Sequence, residues 1–206
     1  MLNIGVKAGN NNSGPADSQN AGVISSLLPN AELVRSSGST KVRFGAALIW
    51  NDTLRTDANG RLRARLDDQT ILLLAPNSEI KIASQERRSE RTSIQLDHGV
   101  LRIVAKNLAA RFEVRTPTAV ATVYATEFGV DASDPGVVKF FCVDGDVEVA
   151  GVAPASAGTV HCRAGNTVTV EVGRSPEYPL PFNVTDVGIW RNVTDPEAPP
   201  PFEPRP

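Results

Sequence analysis

From residue 21 to about 172, apolar and polar residues alternate in short runs, cut every ten or so residues by Gly, Asn, Asp or Pro. Strict alternation marks a strand with one face buried. Arg61 to Leu66 shows it most cleanly: Leu62, Ala64 and Leu66 fall on one side, Arg61, Arg63 and Arg65 on the other. Thr70-Ile-Leu-Leu-Leu-Ala75 is a near-continuous apolar run and reads as a central strand buried on both faces. Turns are expected at Pro29-Asn30, Asn51-Asp52, Asp57 to Gly60, Asp67 to Gln69, Pro76-Asn77, Asp97-His-Gly99, Asp134-Pro-Gly136, Asp144-Gly145 and Gly165-Asn166. Asn59-Gly60 is expected to supply the positive φ of a tight hairpin. The pattern predicts roughly a dozen short strands and no helix, hence an all-β protein: a jelly-roll-like two-sheet β-sandwich first, a β-solenoid second. Uneven spacing and the lack of a residue-for-residue repeat weaken the solenoid.

The same pattern divides the chain. Residues 1–20, rich in Asn, Gly and Ser, read as a flexible leader; 21–172 form the β domain; 173–206 form a proline-rich, extended tail or linker. Within the tail, Val187-Gly-Ile189-Trp190 is the stretch that could dock on the domain.

Composition narrows function. The chain has 206 residues, enough to bury a core without staples. Aromatics are few, so the core is expected to be Val, Leu, Ile and Ala. A formal net charge of −2 gives no bulk argument for nucleic acid or an anionic membrane. No apolar stretch reaches the length of a membrane span. Met1-Leu-Asn-Ile-Gly-Val-Lys7 carries no hydrophobic signal core, so an export signal is expected to be absent from this sequence. Cys142 and Cys162 are the two cysteines. They either form one disulfide in an oxidising compartment or remain two small buried hydrophobes.

Several blocks, taken in order, resemble the FecR family of bacterial extracytoplasmic domains. They are Trp50-Asn-Asp-Thr-Leu-Arg-Thr-Asp-Ala-Asn-Gly60, Leu66 to Ile80, Leu96-Asp-His-Gly-Val-Leu101, and Phe112-Glu-Val-Arg-Thr-Pro117 through Ala125-Thr-Glu-Phe128. Val143-Asp-Gly-Asp-Val-Glu-Val149 and Arg163-Ala-Gly-Asn166 resemble the closing blocks. Asn59, Gly60, Thr126, Glu127 and Phe128 are the family-pattern residues. The resemblance implies a compact β-sandwich in the periplasm or outside the cell, and a signalling or scaffold role. Signalling members also carry a cytoplasmic sigma-factor-binding segment, a membrane span and a further small domain. None of these is evident here, so the sigma-regulator role is not carried over. Ala125 stands where the family usually has Gly, and Asp68-Gln69 where it usually has Gly-Ser, so both turns are expected to differ in detail.

Candidate chemistry is sparse. Asp57, Asn59, Asp67 and Asp68 could offer oxygens to Ca²⁺ or a sugar, but ordinary turn chemistry explains them. Asp131 and Asp134 fall at the opposite end of a hairpin from Asp144 and Asp146, which argues against a shared cation. His161 and Cys162 point to opposite faces of a strand and cannot easily join Cys142 at a metal. No metal or other cofactor is expected. Neither a nucleophile elbow nor a phosphate loop occurs. Glu79 and Glu127 could approach as a glycosidase-like pair, with nothing to favour it.

The clearest surface signal is Arg61, Arg63 and Arg65, with Arg55 nearby. It could meet an acidic partner, a glycan or a lipid head group, or pair with carboxylates of a neighbouring strand. It lacks the interleaved aromatics of a nucleic-acid groove. The sequence therefore points to a non-enzymatic binding, signalling or scaffold module that recognises an envelope protein or glycan. A carbohydrate-binding jelly roll, using Trp50, Tyr124, Tyr178 or Trp190 as platforms, is the second reading. A hydrolase on the same fold is the third.

Overall fold

The computed structural model describes residues 20–86, 91–105, 111–152 and 158–197. The expected leader, apart from Asn20, and the final Ala198–Pro206 stretch lie outside the described residues. Among the described residues, fifteen strands join in one continuous hydrogen-bonded network. They are β1 (Asn20–Leu28), β2 (Ala31–Arg35), β3 (Gly38–Lys41), β4 (Ala47–Ile49), β5 (Thr53–Thr56), β6 (Arg61–Leu66), β7 (Ile71–Leu74) and β8 (Glu79–Glu86), then β9 (Arg91–Ala105), β10 (Arg111–Arg115), β11 (Ala119–Asp134), β12 (Val137–Gly151), β13 (Thr159–Arg163), β14 (Asn166–Glu171) and β15 (Leu180–Pro181). The all-β expectation holds.

Three long strands organise the network, because their two halves take different partners. Residues 91–98 of β9 pair with β8 and β10, while 99–105 pair with β7 and β11. The first half of β11 lies between β10 and the end of β12; its second half lies between β9 and the start of β12. Similarly, β12 pairs first with β14 and later with β13. One half of the network therefore runs β3-β2-β5-β8-β9-β10-β11-β12-β13. The other runs β4-β1-β6-β7-β9-β11-β12-β14-β15.

Register aligns apolar side chains across each half. In the second half, Ile24, Ala64, Leu72, Ile103, Phe128 and Cys142 form one row, and Leu62, Leu74, Leu101, Val130, Phe140 and Val168 the next. In the first half, Ile82, Ile94, Val114, Ala121 and Val149 do the same. All of these residues belong to one buried cluster, so the two halves enclose a common core. Leu72, Leu73 and Leu74 are all buried, as the run 70–75 predicts.

Three expectations are corrected. Asp97-His-Gly99 and Asp144-Gly145 do not end strands: β9 and β12 run straight through them. Gly99 and Gly145, both at φ +94, instead bend one strand from one half of the network into the other. Second, Asn59-Gly60 is not a positive-φ pair. Gly60 is required for closeness, since a Cβ there would lie 2.4 Å from the carbonyl oxygen of Asn30. The left-handed non-glycine residues of this region are Asn30, Asn51, Gln69 and Asn77, each at an expected turn. Third, the tail is not simply an extended linker. It forms β15 and a helix, α1 (Val184–Thr194). Asn183 caps α1, its side-chain oxygen accepting from the Thr185 backbone N–H at 3.0 Å.

Candidate functional site

The Arg61/Arg63/Arg65 stripe lies on β6, on the face away from the core, as alternation requires. It is not an open basic surface. Arg61 is buried and donates from Nη1 to the carbonyl of Asp195 at 3.1 Å. Arg63 reaches the Asp195 carboxylate at 3.0 Å and the Glu197 carboxylate at 2.9 Å. Only Arg65 stays exposed, with its Nη1 3.3 Å from Gln69 Oε1. Arg55 belongs elsewhere: it sits on β5, in the other half of the network, and pairs with Glu79 at 2.7 Å.

Asp195 and Glu197, which cover Arg61 and Arg63, end a segment from Leu180 to Glu197 that packs along the same outward face. Its anchor is Trp190, 9% exposed, which lies directly on Gly129 of β11. A Cβ on Gly129 would come within 2.0 Å of the indole, so only glycine admits the ring. Phe141 of β12 stacks on the indole at 6.3 Å between centroids, and the Arg102 guanidinium lies 5.7 Å from its centre. Phe182, just before α1, meets Phe141 edge-on at 6.4 Å.

Beside the indole, Glu127 joins the sheet to the helix. Arg191 of α1 holds it through two bonds, Nε at 2.8 Å and Nη2 at 2.7 Å. Arg102 of β9 holds the same carboxylate at 2.9 Å. Burial alone would raise the Glu127 pKa, but the pairs with Arg191 and Arg102 outweigh it and hold it below the ordinary value. Along the outward face the order is thus Arg63, Leu73, Arg102, Gly129, Phe141 and Thr167, so that the cations lie on one side of the Gly129–Phe141 seat.

The remaining candidates have local roles. Asp57, Asp68, Asp131 and Asp134 each accept a backbone N–H two residues on, at 2.9 Å. His161 turns to Asp146 at 3.2 Å. Glu79 and Glu127 do not act as a pair: Glu79 is held by Arg55, and Glu127 by Arg102 and Arg191, on opposite sides of the Gly99 bend in β9. Each carboxylate is committed to a structural ion pair rather than to a glycosidase-like arrangement. Cys142 and Cys162 are free, buried thiols. Desolvation first, then mutual repulsion and nearby Asp146 and Asp144, pushes Cys142 up to about 12. Desolvation pushes Cys162 to about 11, although the Cys142 backbone N–H partly offsets it. Among the aromatic candidates, Trp50 packs against the core and Trp190 under α1; Tyr124 is half exposed and Tyr178 open. No group of His, Cys, Asp and Glu among the described residues could hold a metal ion.

Known proteins match this architecture. The FecR protein family matches residues 52–148. That segment is a FecR domain. The matched span contains β5 to β11 and most of β12, including Arg102, Glu127, Gly129 and Phe141, whereas α1 lies outside it. Two crystal structures of a candidate anti-sigma factor from Parabacteroides distasonis ATCC 8503, at 2.50 and 1.65 Å resolution, share the fold. Their TM-scores are 0.57 and 0.56, each at 17% identity over 68% of this chain and 64% of theirs. The likeness thus spans less than two-thirds of their length and carries the fold alone. No curated protein matches.

Sequence reasoning found the arginine stripe, Glu127 and Trp190 but did not join them. Arg102, Arg191, Gly129, Phe141, Asp195 and Glu197 went unremarked. One signal was available: Asn183, three residues ahead of Asp186, has the spacing of a capping box.

Proposed function

We propose that this chain is a non-enzymatic signalling module of the periplasm or cell surface, and that it recognises a protein of the envelope. The supporting observation is the outward face of the FecR domain, which already holds a polypeptide segment. A tryptophan seated on glycine, flanked by Arg102, Glu127 and Arg63, is the anatomy of a protein-recognition site, with an aromatic anchor inside a charged rim. The polar clusters that could have suggested catalysis are engaged in turns and ion pairs. The regulatory description of the structural neighbours agrees with this reading.

The test is capture from the host's envelope fraction with the full chain immobilised, beside an Arg63→Glu/Arg102→Glu variant. A single envelope protein retained at stoichiometric amounts, and reduced in the variant, is expected. Retention of no protein by either would refute the proposal.

Glycan recognition keeps one supporting observation. Tyr178, 88% exposed, borders an open cleft with His161, Arg163 and Asn166, a ring beside polar groups. Calorimetry with envelope oligosaccharides, against Tyr178→Ala, decides it: heat lost in the variant favours a glycan, and no heat removes the reading.

A further inference from the structure

The helix α1 covers the face, yet little in its own sequence makes it a helix. Val184-Thr-Asp-Val-Gly-Ile-Trp-Arg-Asn-Val-Thr194 has three valines, an isoleucine, two threonines and an interior glycine. These residues are among the weaker helix formers, and eleven residues are too few to be stable alone. The helix therefore owes its existence to the face beneath it. Its anchor is also imperfectly matched. Trp190 Nε1 is buried without an acceptor among the described residues. A buried donor left unpaired costs free energy that a better-matched occupant would recover. Nor is Trp190 part of the contiguous core cluster. The core cluster thus draws none of its residues from α1.

The face is built wholly from the sheet. Gly129, Leu73 and Phe141 form an apolar floor, Arg63 and Arg102 two cationic posts, and Glu127 an anionic one, all from β6, β7, β9, β11 and β12. These strands pair with one another along their length. The charges specify an occupant in order: an aromatic over Gly129, a guanidinium for Glu127, and carboxylates for Arg63. In α1 and the residues after it these are Trp190, Arg191, Asp195 and Glu197.

We infer that this face is the partner-binding surface of the FecR domain, and that residues 182–197 occupy it in cis as a built-in competitor. The partner it fits is a protein helix that presents an aromatic residue, an adjacent arginine, and one or two carboxylates about a turn further on. This inference rests on the protein-recognition reading given above. A partner must displace α1, so its apparent affinity is set by the fraction of molecules in which α1 is undocked.

The test uses the full chain and one probe, a fluorescent synthetic peptide of residues 182–197. The chain is compared as wild type, as Trp190→Ala/Arg191→Ala, and as the same double variant with Gly129→Ala added. In the double variant the cis occupant loses its anchor while the face stays intact, so the peptide is expected to bind about tenfold or more tightly than to wild type. Added Gly129→Ala closes the indole seat and is expected to abolish that gain. Arg63→Glu in the double variant, which leaves the seat open, is expected to weaken binding and serves as a second check. Far-UV circular dichroism confirms an intact sheet in each. Equal peptide binding by wild type and the double variant, or none by a folded double variant, overturns the inference. Envelope capture separates the two levels. If the double variant captures no more of the envelope protein than wild type does, the competitor role fails while recognition stands. If neither captures any, recognition itself fails.

Discussion

At the scale of single residues, Glu127 carries more of this molecule's organisation than any charge in the arginine stripe. It lies in the Ala125-Thr-Glu-Phe128 block and joins β11 to β9 through Arg102 and to α1 through Arg191. Its depressed pKa has a definite consequence for pH. A carboxylate whose folded value lies below its unfolded value contributes stability that is present above the unfolded value and is lost as pH falls through the folded one. The helix α1 should therefore stay docked at neutral pH and loosen in acid, below the ordinary value of 4.5 for this group. Asp195 and Glu197, which face Arg63, and Arg61, which holds the Asp195 carbonyl, contribute charges to the same contact. The measurement is Trp190 fluorescence against pH in a Trp50→Phe background. Glu127→Gln should give a partly undocked, more solvent-exposed indole already at pH 7, with a smaller acid transition. An unchanged acid transition in Glu127→Gln would mean that this pair does not govern docking.

At the scale of elements, the instructive glycines are those inside strands. Gly99, at φ +94, turns β9 from one half of the network to the other, and a Cβ there would come within 2.5 Å of the Ser78 backbone Cα. Gly45, at φ +76, has nothing within 4 Å of the same position. Gly45→Ala should thus cost only backbone strain, about 1 kcal/mol. Gly99→Ala adds a clash with backbone that cannot rotate away, and should cost about 3 kcal/mol or more. Urea unfolding of the two variants checks the contrast, and equal losses would contradict it. The same residues show what could be read without coordinates. Alternation placed Leu62, Ala64 and Leu66 inward and their arginines outward, because period two is a local property of extended backbone. It could not tell Gly99 and Gly145 from hairpin turns, because a bent strand and a tight turn ask for the same φ. What separates them is which strands lie alongside. The stripe's cover was hidden for a related reason. Val184 to Thr194 lacks helical propensity, and its conformation is decided by the distant seat at Gly129.

At the scale of the whole molecule, the two halves of the network meet over one core, and the three strands they share make separation of the halves costly. Cys142 lies on β12 before the bend at Gly145, and Cys162 lies on β13 opposite Val147, after it. The Cys142 Sγ–H donates to the Gly145 carbonyl at 3.4 Å and that of Cys162 to the Asn166 carbonyl at 3.2 Å. Both thiols are fully buried at the place where β12 passes between the halves. With values raised to about 12 and about 11, each is almost wholly protonated at neutral pH, and the thiolate is the reactive form. Reagent needs an opening of the strands that enclose them, β12, β13 and β14, rather than of α1. In the reduced protein, labelling of both thiols by a disulfide reagent at pH 7.5 should be slow. Its rate should rise with urea in parallel with loss of the strand signal. Trp190→Ala, which frees α1 but leaves the core cluster, should leave labelling in dilute buffer nearly unchanged. Rapid labelling in that variant would show instead that the helix clamps the two halves together, making it part of the fold's stability and no mere occupant of one face.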